Sequence, residues 1–411
     1  MDLKSRATDT LKIVITGASG FIGRQLVPRL KAAGHDLLLV GRDAEKLGRI
    51  FPGMPVSGYD ALVEKSKDFD LLVHLAALNN NANGSEDEFN RVNIKLFGDV
   101  VEKSGQAGIR RLLNITSFHV FSHADSLYAR SKRKALDVAR SATGIDVLSV
   151  FLPAIYGDDF SGGLSAVGKL PATLVHPALT VLSAFTPIVH IDRLADFISN
   201  EAMHSGTGGD VFLTDSNSEN PVYQGGRLLI DLLFVIAVFV FCWWLLIIVW
   251  AWIRADSRGG GIFAQQRIGR NGVPFTCYKF RTMRLGTGEH QTHEVAADAV
   301  TKIGSLLRKT KIDELPQAWN ILRRELSLVG PRPSLPSQSR LIEERRKRGV
   351  LSVRPGITGL AQINGIDMRD PVELARWDTR YIAQQSLLTD IRIIFATLLG
   401  RGQGDQVKPE S

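Results

Sequence analysis

Two carboxylates stand side by side, Asp313 and Glu314, in a stretch that also carries Arg308, Lys309, Lys311, Arg323, Arg324 and Arg332. A carboxylate among cations is held ionised, and an ionised one serves as a nucleophile or a metal ligand. Guanidinium forks match phosphate oxygens two at a time. Asp313 also stands where it would cap the helix containing Pro316 to Leu322; a cap and a catalyst are compatible. A second constellation lies upstream. Tyr128 and Lys132 are four apart and share a helix face, where the ammonium favours the phenolate and draws the tyrosine toward a pKa useful for proton transfer. Ser117, at a strand end, is placed to hydrogen-bond the same carbonyl oxygen, although a Tyr-x-x-x-Lys spacing alone is common by chance. The third constellation is Thr16-Gly17-Ala18-Ser19-Gly20-Phe21-Ile22-Gly23, between an apolar strand and a helix. Gly17 permits a tight turn, Gly20 lets backbone approach a pyrophosphate, and Gly23 lets the helix pack close to the sheet. The helix start at Phe21 and Ile22 offers N–H donors to the phosphates. The next strand ends in Val40-Gly41-Arg42. An arginine there suits the 2′-phosphate of NADP, the expected cofactor, and an acid would suit NAD; Asp43 keeps NAD open, and a solvated surface arginine is the alternative reading.

Strand and helix patterns must position these groups. Over the first ~220 residues they alternate, which implies an α/β fold with a doubly wound parallel sheet. Strands are expected at Lys12–Thr16, Asp36–Val40, Asp70–Leu75 and Arg111–Thr116, and a helix at Phe21–Ala33. Thr207–Gly226, rich in Gly, Asn, Ser and Asp, reads as a linker. Leu232 to Ile253 then runs 22 residues without a charge, a Gly or a Pro, long enough at ~20 residues per crossing to enter a bilayer. Four tryptophans gather in its second half, where interfacial anchors are found. A buried core helix is the rival reading. Beyond it comes a second soluble region of short amphipathic helices and Gly/Pro-rich turns. The expected divisions are 1–220, 221–256, 257–401 and a frayed tail at 402–411.

Composition sets the outer bounds. At 44% hydrophobic and 22% charged, 411 residues are too apolar for a disordered chain and long enough for two or three domains. Cys242 and Cys277 cannot make a disulfide framework, and the first residues lack an apolar signal core, so a secreted protein is not expected. Residues 254–411 hold 26 Lys+Arg against 16 Asp+Glu, a net of +10, whereas the rest of the chain is close to neutral. That half should face anions. Nucleic acid is an unlikely partner on this pattern, since the basic residues fall inside the motifs below and no recognition module appears.

Two resemblances sharpen the reading. TGASGFIG, HLAA (74–77), ITSFHVFS (115–122), YARSK (128–132), PAIYG (153–157) and VHIDRLAD (189–196) resemble the extended short-chain dehydrogenase/reductases, which include nucleotide-sugar epimerases, dehydratases and 4-ketoreductases. The resemblance implies a Rossmann-type fold and makes Ser117, Tyr128 and Lys132 its catalytic triad. Phe118-His119 stands where sugar dehydratases carry Asp-Glu, and the domain ends early, abbreviating its substrate lobe. Ketoreduction or epimerisation of a UDP-linked sugar remains, a 4-keto-6-deoxy-HexNAc being the favoured substrate.

FAQQRIGRNGVPFTCYKFRTM (263–283), TKIDELPQAWNILRRELSLVGPRP (310–333) and VRPGITGLAQINGI (353–366) resemble the bacterial monotopic polyprenyl-phosphate sugar-phosphate transferases. This implies that Asp313, with Mg²⁺ bound to it, attacks the sugar-bearing phosphorus of a UDP-sugar and expels UMP. A polyprenyl phosphate then takes the sugar phosphate. Glu314 completes the dyad, and Lys279, Arg332, Arg354 and Asp378 occupy substrate-binding motif positions. The family breaks its membrane helix with Ser-Pro; here the aligned place is near Cys242-Trp243, without proline. Cytoplasmic NADP(H) and UDP-sugar would put both domains on the cytoplasmic face of the bacterial inner membrane, and only a re-entrant helix among membrane lipid allows that. Arg227 and Asp231, four apart, are expected to pair near its entry. The rival function is a transferase whose N-terminal domain is only a nucleotide-binding sensor or scaffold; a homodimer is compatible with either. His290 to Glu294 reads as a solvated turn rather than metal ligands, and Glu343–Arg348 as a solvated helix face.

Overall fold

KIVIT, DLLLV, LLVH, RLLNITS and DVLSVFL are apolar on both faces, the pattern of strands covered on both sides of a parallel sheet. They form β1 (Lys12–Thr16), β2 (Asp36–Val40), β4 (Leu71–His74), β5 (Arg111–Ser117) and β6 (Asp146–Leu152). With β3 (Val56–Ser57) and β9 (Asp210–Phe212) they make a seven-stranded parallel sheet in the order β3-β2-β1-β4-β5-β6-β9. β7 (Ala154–Tyr156) and β8 (Ile188–His190) pair separately. Alternate residues feed two cores. Ile13, Ile15, Leu37, Leu39, Leu71 and Val73 join helix α1 (Phe21–Ala32) on one face. Val14, Leu38, Val40, Leu72 and Leu112 meet helix α2 (Leu127–Ser141) on the other. The strand order reverses between β1 and β4, which opens a ligand crevice at their carboxyl ends.

The computed structural model describes residues 10–79, 84–121, 126–206, 209–284 and 299–402. They divide into two compact units. The first ends at Leu179 and resumes over Pro187–Asp215; the second takes Thr180–Thr186 and everything from Ser216 on. Helix α3 (Ala172–Phe185) therefore contributes to both. The expected linker is not a linker throughout: β9 lies inside it as a sheet strand, and helix α4 (Pro221–Ile236) begins within it, with Pro221 at its first position and the Asn220 side chain accepting from the N–H groups of Val222 and Tyr223. The His290–Glu294 stretch and the tail beyond Gly402 lie outside the described residues.

In the second unit α4 loosens into a wide turn at Ala237–Phe241, breaks at Cys242 (φ −112°, ψ 10°) and restarts as α5 (Trp243–Asp256). Pro221–Phe241 is apolar and long enough to cross a membrane. A hairpin of β10 (Ile262–Ile268) and β11 (Pro274–Phe280) follows, then α6 (Lys302–Thr310), a 3-10 turn at Ile312–Gln317 and α7 (Ala318–Leu322). β12 (Ser327–Val329) pairs in parallel with β13 (Gly356–Thr358), and α8 (Ser339–Lys347), α9 (Pro371–Ala383) and α10 (Leu387–Leu398) complete the unit. Both halves of the broken helix pack against the rest of this unit. Val235 of α4 meets Phe275, Cys277, Ile321 and Leu326; Val249 and Ile253 of α5 meet Phe280, Ile303 and Leu307.

Candidate functional site

The first site lies at the β1–α1 turn. Gly17 has φ +75°, and a Cβ there would stand 2.5 Å from the Ala76 backbone nitrogen, so only glycine lets the turn close against the end of β4. A Cβ on Gly23 would meet the Ala18 carbonyl oxygen at 2.4 Å, which is the close helix–sheet packing its type foretold. Gly20 caps α1 without a side chain, its own N–H donating to the Gly17 carbonyl, so the α1 start at Phe21 and Ile22 keeps a bare backbone N-terminus. This is a cradle that fits a pyrophosphate. Asp43, which kept the cofactor's identity open, accepts the Lys46 N–H as the cap of the helix Ala44–Ile50, while Arg42 is exposed. Thr16 Oγ1 lies 2.8 Å from His74 Nδ1, and burial, aided by the Lys132 charge, drives His74 down to about 3. His74 sits in a quoted motif, but its type alone gave no sign that it would be a buried neutral ring.

Ser117 ends β5 and Tyr128 and Lys132 lie on α2, and the fold brings Ser117 near enough to the Tyr128 hydroxyl to favour its phenolate. Lys132 is buried and its Nζ points to the Ile115 carbonyl at 3.5 Å. The expected depression of the tyrosine is not what forms. Burial raises Tyr128 above its ordinary value, with only Ser117 opposing it. Burial also lowers Lys132 to about 8, because the ammonium has left water without a carboxylate to replace it. His119, noted in the sequence only as a departure from the dehydratases, reaches Ser117 Oγ with its Nδ1 at 2.8 Å and sets its ring edge against Tyr128. Asn93, which no motif signalled, braces the assembly from a buried position, donating to Ser131 Oγ and to the Leu78 carbonyl.

The second site is built on the turn Ile312–Gln317. Lys311 closes α6 in the left-handed region (φ 58°), which reverses the chain and presents Asp313 and Glu314 inward. Glu314 Oε1 is 3.6 Å from Lys279 Nζ and 3.4 Å from Arg332 Nη1. Asp313 is buried, and among the described residues no hydrogen bond reaches its carboxylate. Nor does it cap a helix: Gln317 precedes α7 and no side chain caps that helix. The expectation of an acid fully ionised by its cations needs correction. Burial first, and then Glu314, push Asp313 up to about 6, more than Lys279, Arg308 and Arg332 pull it down. It is charged at neutral pH, and poorly solvated.

Two expected site residues lie elsewhere. Asp378 is fully buried on α9, its Oδ2 accepting from Arg345 Nε at 2.9 Å with Arg345 Nη2 ion-paired at 2.7 Å, and Arg345 in turn donates to the Arg332 carbonyl. It reaches the dyad only by holding Arg332's backbone. Arg354 faces Asp231 at 3.6 Å. The expected Arg227–Asp231 pair does not form either. Arg227 donates to Ser327 Oγ and the Val329 carbonyl, and Asp231 accepts from Ser327 and the Leu328 N–H, so β12 takes both side chains and docks α4 to the unit.

Comparison with known proteins divides the chain in the same two parts. Residues 13–179 match the model of the NAD dependent epimerase/dehydratase family, and residues 222–401 that of bacterial sugar transferase. The exopolysaccharide production protein ExoY of Sinorhizobium fredii is 32% identical over 215 residues, covering 48% of this chain and 94% of that one. The chain belongs to the bacterial sugar transferase family. Galactosyl transferase CpsE of Streptococcus agalactiae is 41% identical over 160 residues (36% of this chain, 35% of that one). The UDP-glucose:undecaprenyl-phosphate glucose-1-phosphate transferase of Klebsiella pneumoniae is 36% identical over 163 residues, 38% of this chain and 35% of that one. This chain thus spans about a third of the length of those two relatives. Among solved structures, MoeE5 in complex with UDP-glucose and NAD is 20% identical over 50% of this chain and 77% of that one, with a TM-score of 0.38.

Two features of the sugar-transferase unit complete its site. The helix break is made without proline: the Cys242 N–H donates to the Ala237 carbonyl, and the Trp244 indole donates to the Phe241 carbonyl at 2.9 Å, satisfying a group the break exposes. Beside it runs an apolar groove of about 570 Å³, lined by Phe239, Leu246, Ile247, Trp250, Tyr278 and Trp319, with Pro316 of the Asp313 turn in its wall.

Proposed function

We propose that this chain is a membrane-bound, two-activity enzyme of cell-surface glycan synthesis: an NADP(H)-dependent reductase or epimerase of a UDP-linked sugar joined to a transferase that loads the sugar phosphate onto polyprenyl phosphate. The observation that carries the second activity is Asp313, buried, without a hydrogen bond to its carboxylate among the described residues, and near Lys279, Arg308 and Arg332. An Asp313 oxygen attacks the sugar-bearing phosphorus; the bond to the UMP oxygen breaks and UMP leaves with that electron pair. A polyprenyl-phosphate oxygen then attacks the same phosphorus, releasing Asp313 and giving the prenyl diphosphate sugar. Lys279 and Arg332 orient Glu314 and meet phosphate charge, and Arg345 and Asp378 hold Arg332 in place. Asp313 and Glu314 also fit the one or two carboxylates by which proteins hold Mg²⁺, an ion that would neutralise charge on the diphosphate. The apolar groove suits the acceptor's prenyl chain.

In the N-terminal unit the Gly17–Gly23 cradle and the bare start of α1 fit a dinucleotide, which would supply or accept the hydride. Tyr128, neutral and near Ser117, donates the proton to the sugar carbonyl, with His119 holding Ser117. The favoured substrate is a UDP-4-keto-6-deoxy-HexNAc. Incubating purified protein with candidate UDP-sugars, NADPH and polyprenyl phosphate, then identifying the lipid by mass spectrometry, tests the whole reading; a lipid bearing only unreduced, unepimerised sugar leaves the N-terminal unit a sensor or scaffold. With Asp43 occupied as a cap, Arg42→Ala should raise the KM for NADPH and leave that for NADH nearly unchanged. A natural preference for NADH refutes that assignment.

Packing supports a re-entrant helix. α4 and α5 both return to the rest of the same unit, so the chain leaves the membrane on the side it entered, which we assign to the cytoplasmic face of the inner membrane. Cysteines placed at Glu219 and Asp256, both exposed, should be labelled from the cytoplasmic side by an impermeant maleimide. Labelling from opposite sides would make the segment a true span and put the two active sites in different compartments.

A further inference from the structure

Helix α3 carries an apolar face that neither activity uses. Leu170 to Thr186 contains no Asp, Glu, Lys or Arg. Leu170, Leu174, Val181 and Phe185 are 38%, 52%, 48% and 40% exposed. At about 100° per residue Leu174, Val181 and Phe185 of the helix project within roughly 40° of one another, Ala172 lies on the opposite side, and Leu170 precedes the helix. Contiguous apolar surface of this kind marks a partner. What covers it is indicated by where the helix ends. Its last turns belong to the membrane-binding unit: Asn220, the cap of α4, donates to the Thr180 carbonyl and to Ser183 Oγ, Asn217 donates to the Ser183 carbonyl, and Ala184 packs with Tyr223 and Leu387. The last turns of α3 therefore abut the first turn of α4, whose own Leu229, Leu233 and Ile236 are exposed.

We propose that α3 is a second membrane contact, a helix lying in the headgroup region and continuous with the inserted α4. Fourteen residues make a helix of about 21 Å, too short to cross a hydrocarbon core of ~30 Å, so it lies along the surface.

The test uses the full chain, with Cys242 and Cys277 replaced by alanine, in phosphatidylethanolamine/phosphatidylglycerol nanodiscs. Single cysteines at Val181, Phe185, Ala172 and Ile236 carry an environment-sensitive fluorophore, and spin-labelled lipids act as quenchers. Labels at 181 and 185 should be quenched at least about threefold more than the label at 172, and more by a shallow than by a deep spin label. The Ile236 label reports insertion of α4 independently. Quenching at 236 with none at 181 and 185 overturns the α3 proposal while leaving the membrane reading intact. A blue shift at 181 that depends on protein concentration and not on spin-labelled lipid assigns the stripe to a second copy of the chain, and overturns it equally. Circular dichroism matching that of the natural chain confirms that each variant is folded.

Discussion

Asp313→Asn should abolish UMP release, by about 10³-fold or more, and yet leave the protein at least as stable at neutral pH. The first half follows from chemistry: an amide neither attacks phosphorus nor replaces a carboxylate beside a divalent ion. The second follows from the sign of the shift. Asp313 is raised from 3.8 to about 6, so the folded state holds its proton more tightly than the unfolded chain does. Folding stability from this group is fully present below pH ~4 and is lost as pH rises to about 6; above that the buried charge is a cost. Asparagine removes the cost, of order 1 kcal/mol or more. Calorimetry at pH 7.5 should show an equal or higher Tm. The natural enzyme's transfer rate should fall as pH drops through about 6, with the loss of the ionised nucleophile. A helix-cap role predicts something else: asparagine caps as well as aspartate, so turnover and Tm would both stay put. Near-natural turnover in the variant returns Asp313 to a structural role.

Much of the fold was legible because it depends on local pattern. The apolar runs of β1, β2, β4 and β5 declare strands covered on both faces, and the glycines at 17 and 23 declare close approaches that the backbone then makes. What the pattern could not carry is direction and depth. Arg227 and Asp231 have the spacing of a helical ion pair, but Ser327 and Leu328, about a hundred residues away in the chain, offer Asp231 better partners. Asp378 stands in a transferase motif, yet Arg345 on a neighbouring helix claims it. The pKa errors share one cause. Counting cations around Asp313 or Tyr128 measures Coulomb attraction, whereas desolvation depends on burial, which only the tertiary structure reveals. Only the family resemblance placed a break near Cys242-Trp243; no local residue pattern marks it, because its stabiliser is a tryptophan indole rather than a proline.

Tyr128→Phe should lower reduction of a UDP-4-keto sugar by about 10²–10⁴-fold and leave UMP release from a finished UDP-sugar unchanged. Burial keeps the Tyr128 phenol neutral at physiological pH, as the proposed role of proton donor requires, and phenylalanine removes that proton without vacating the ring's place. Dinucleotide affinity, measured by fluorescence titration, should hold, because the Gly17–Gly23 cradle is untouched. Lys132 adds a pH signature. Lowered from 10.5 to about 8, its ammonium costs folding stability below pH ~8, and that cost is relieved as pH rises from there toward 10.5. Reduction should therefore decline above pH ~8 as Lys132 loses its charge, while the N-terminal unit grows no less stable over the same range. A rate that falls only together with thermal stability would mean that pH acts on the fold rather than on Lys132. Loss of both activities in Tyr128→Phe would sink the idea of two independent sites, since Tyr128 and Asp313 lie in different units.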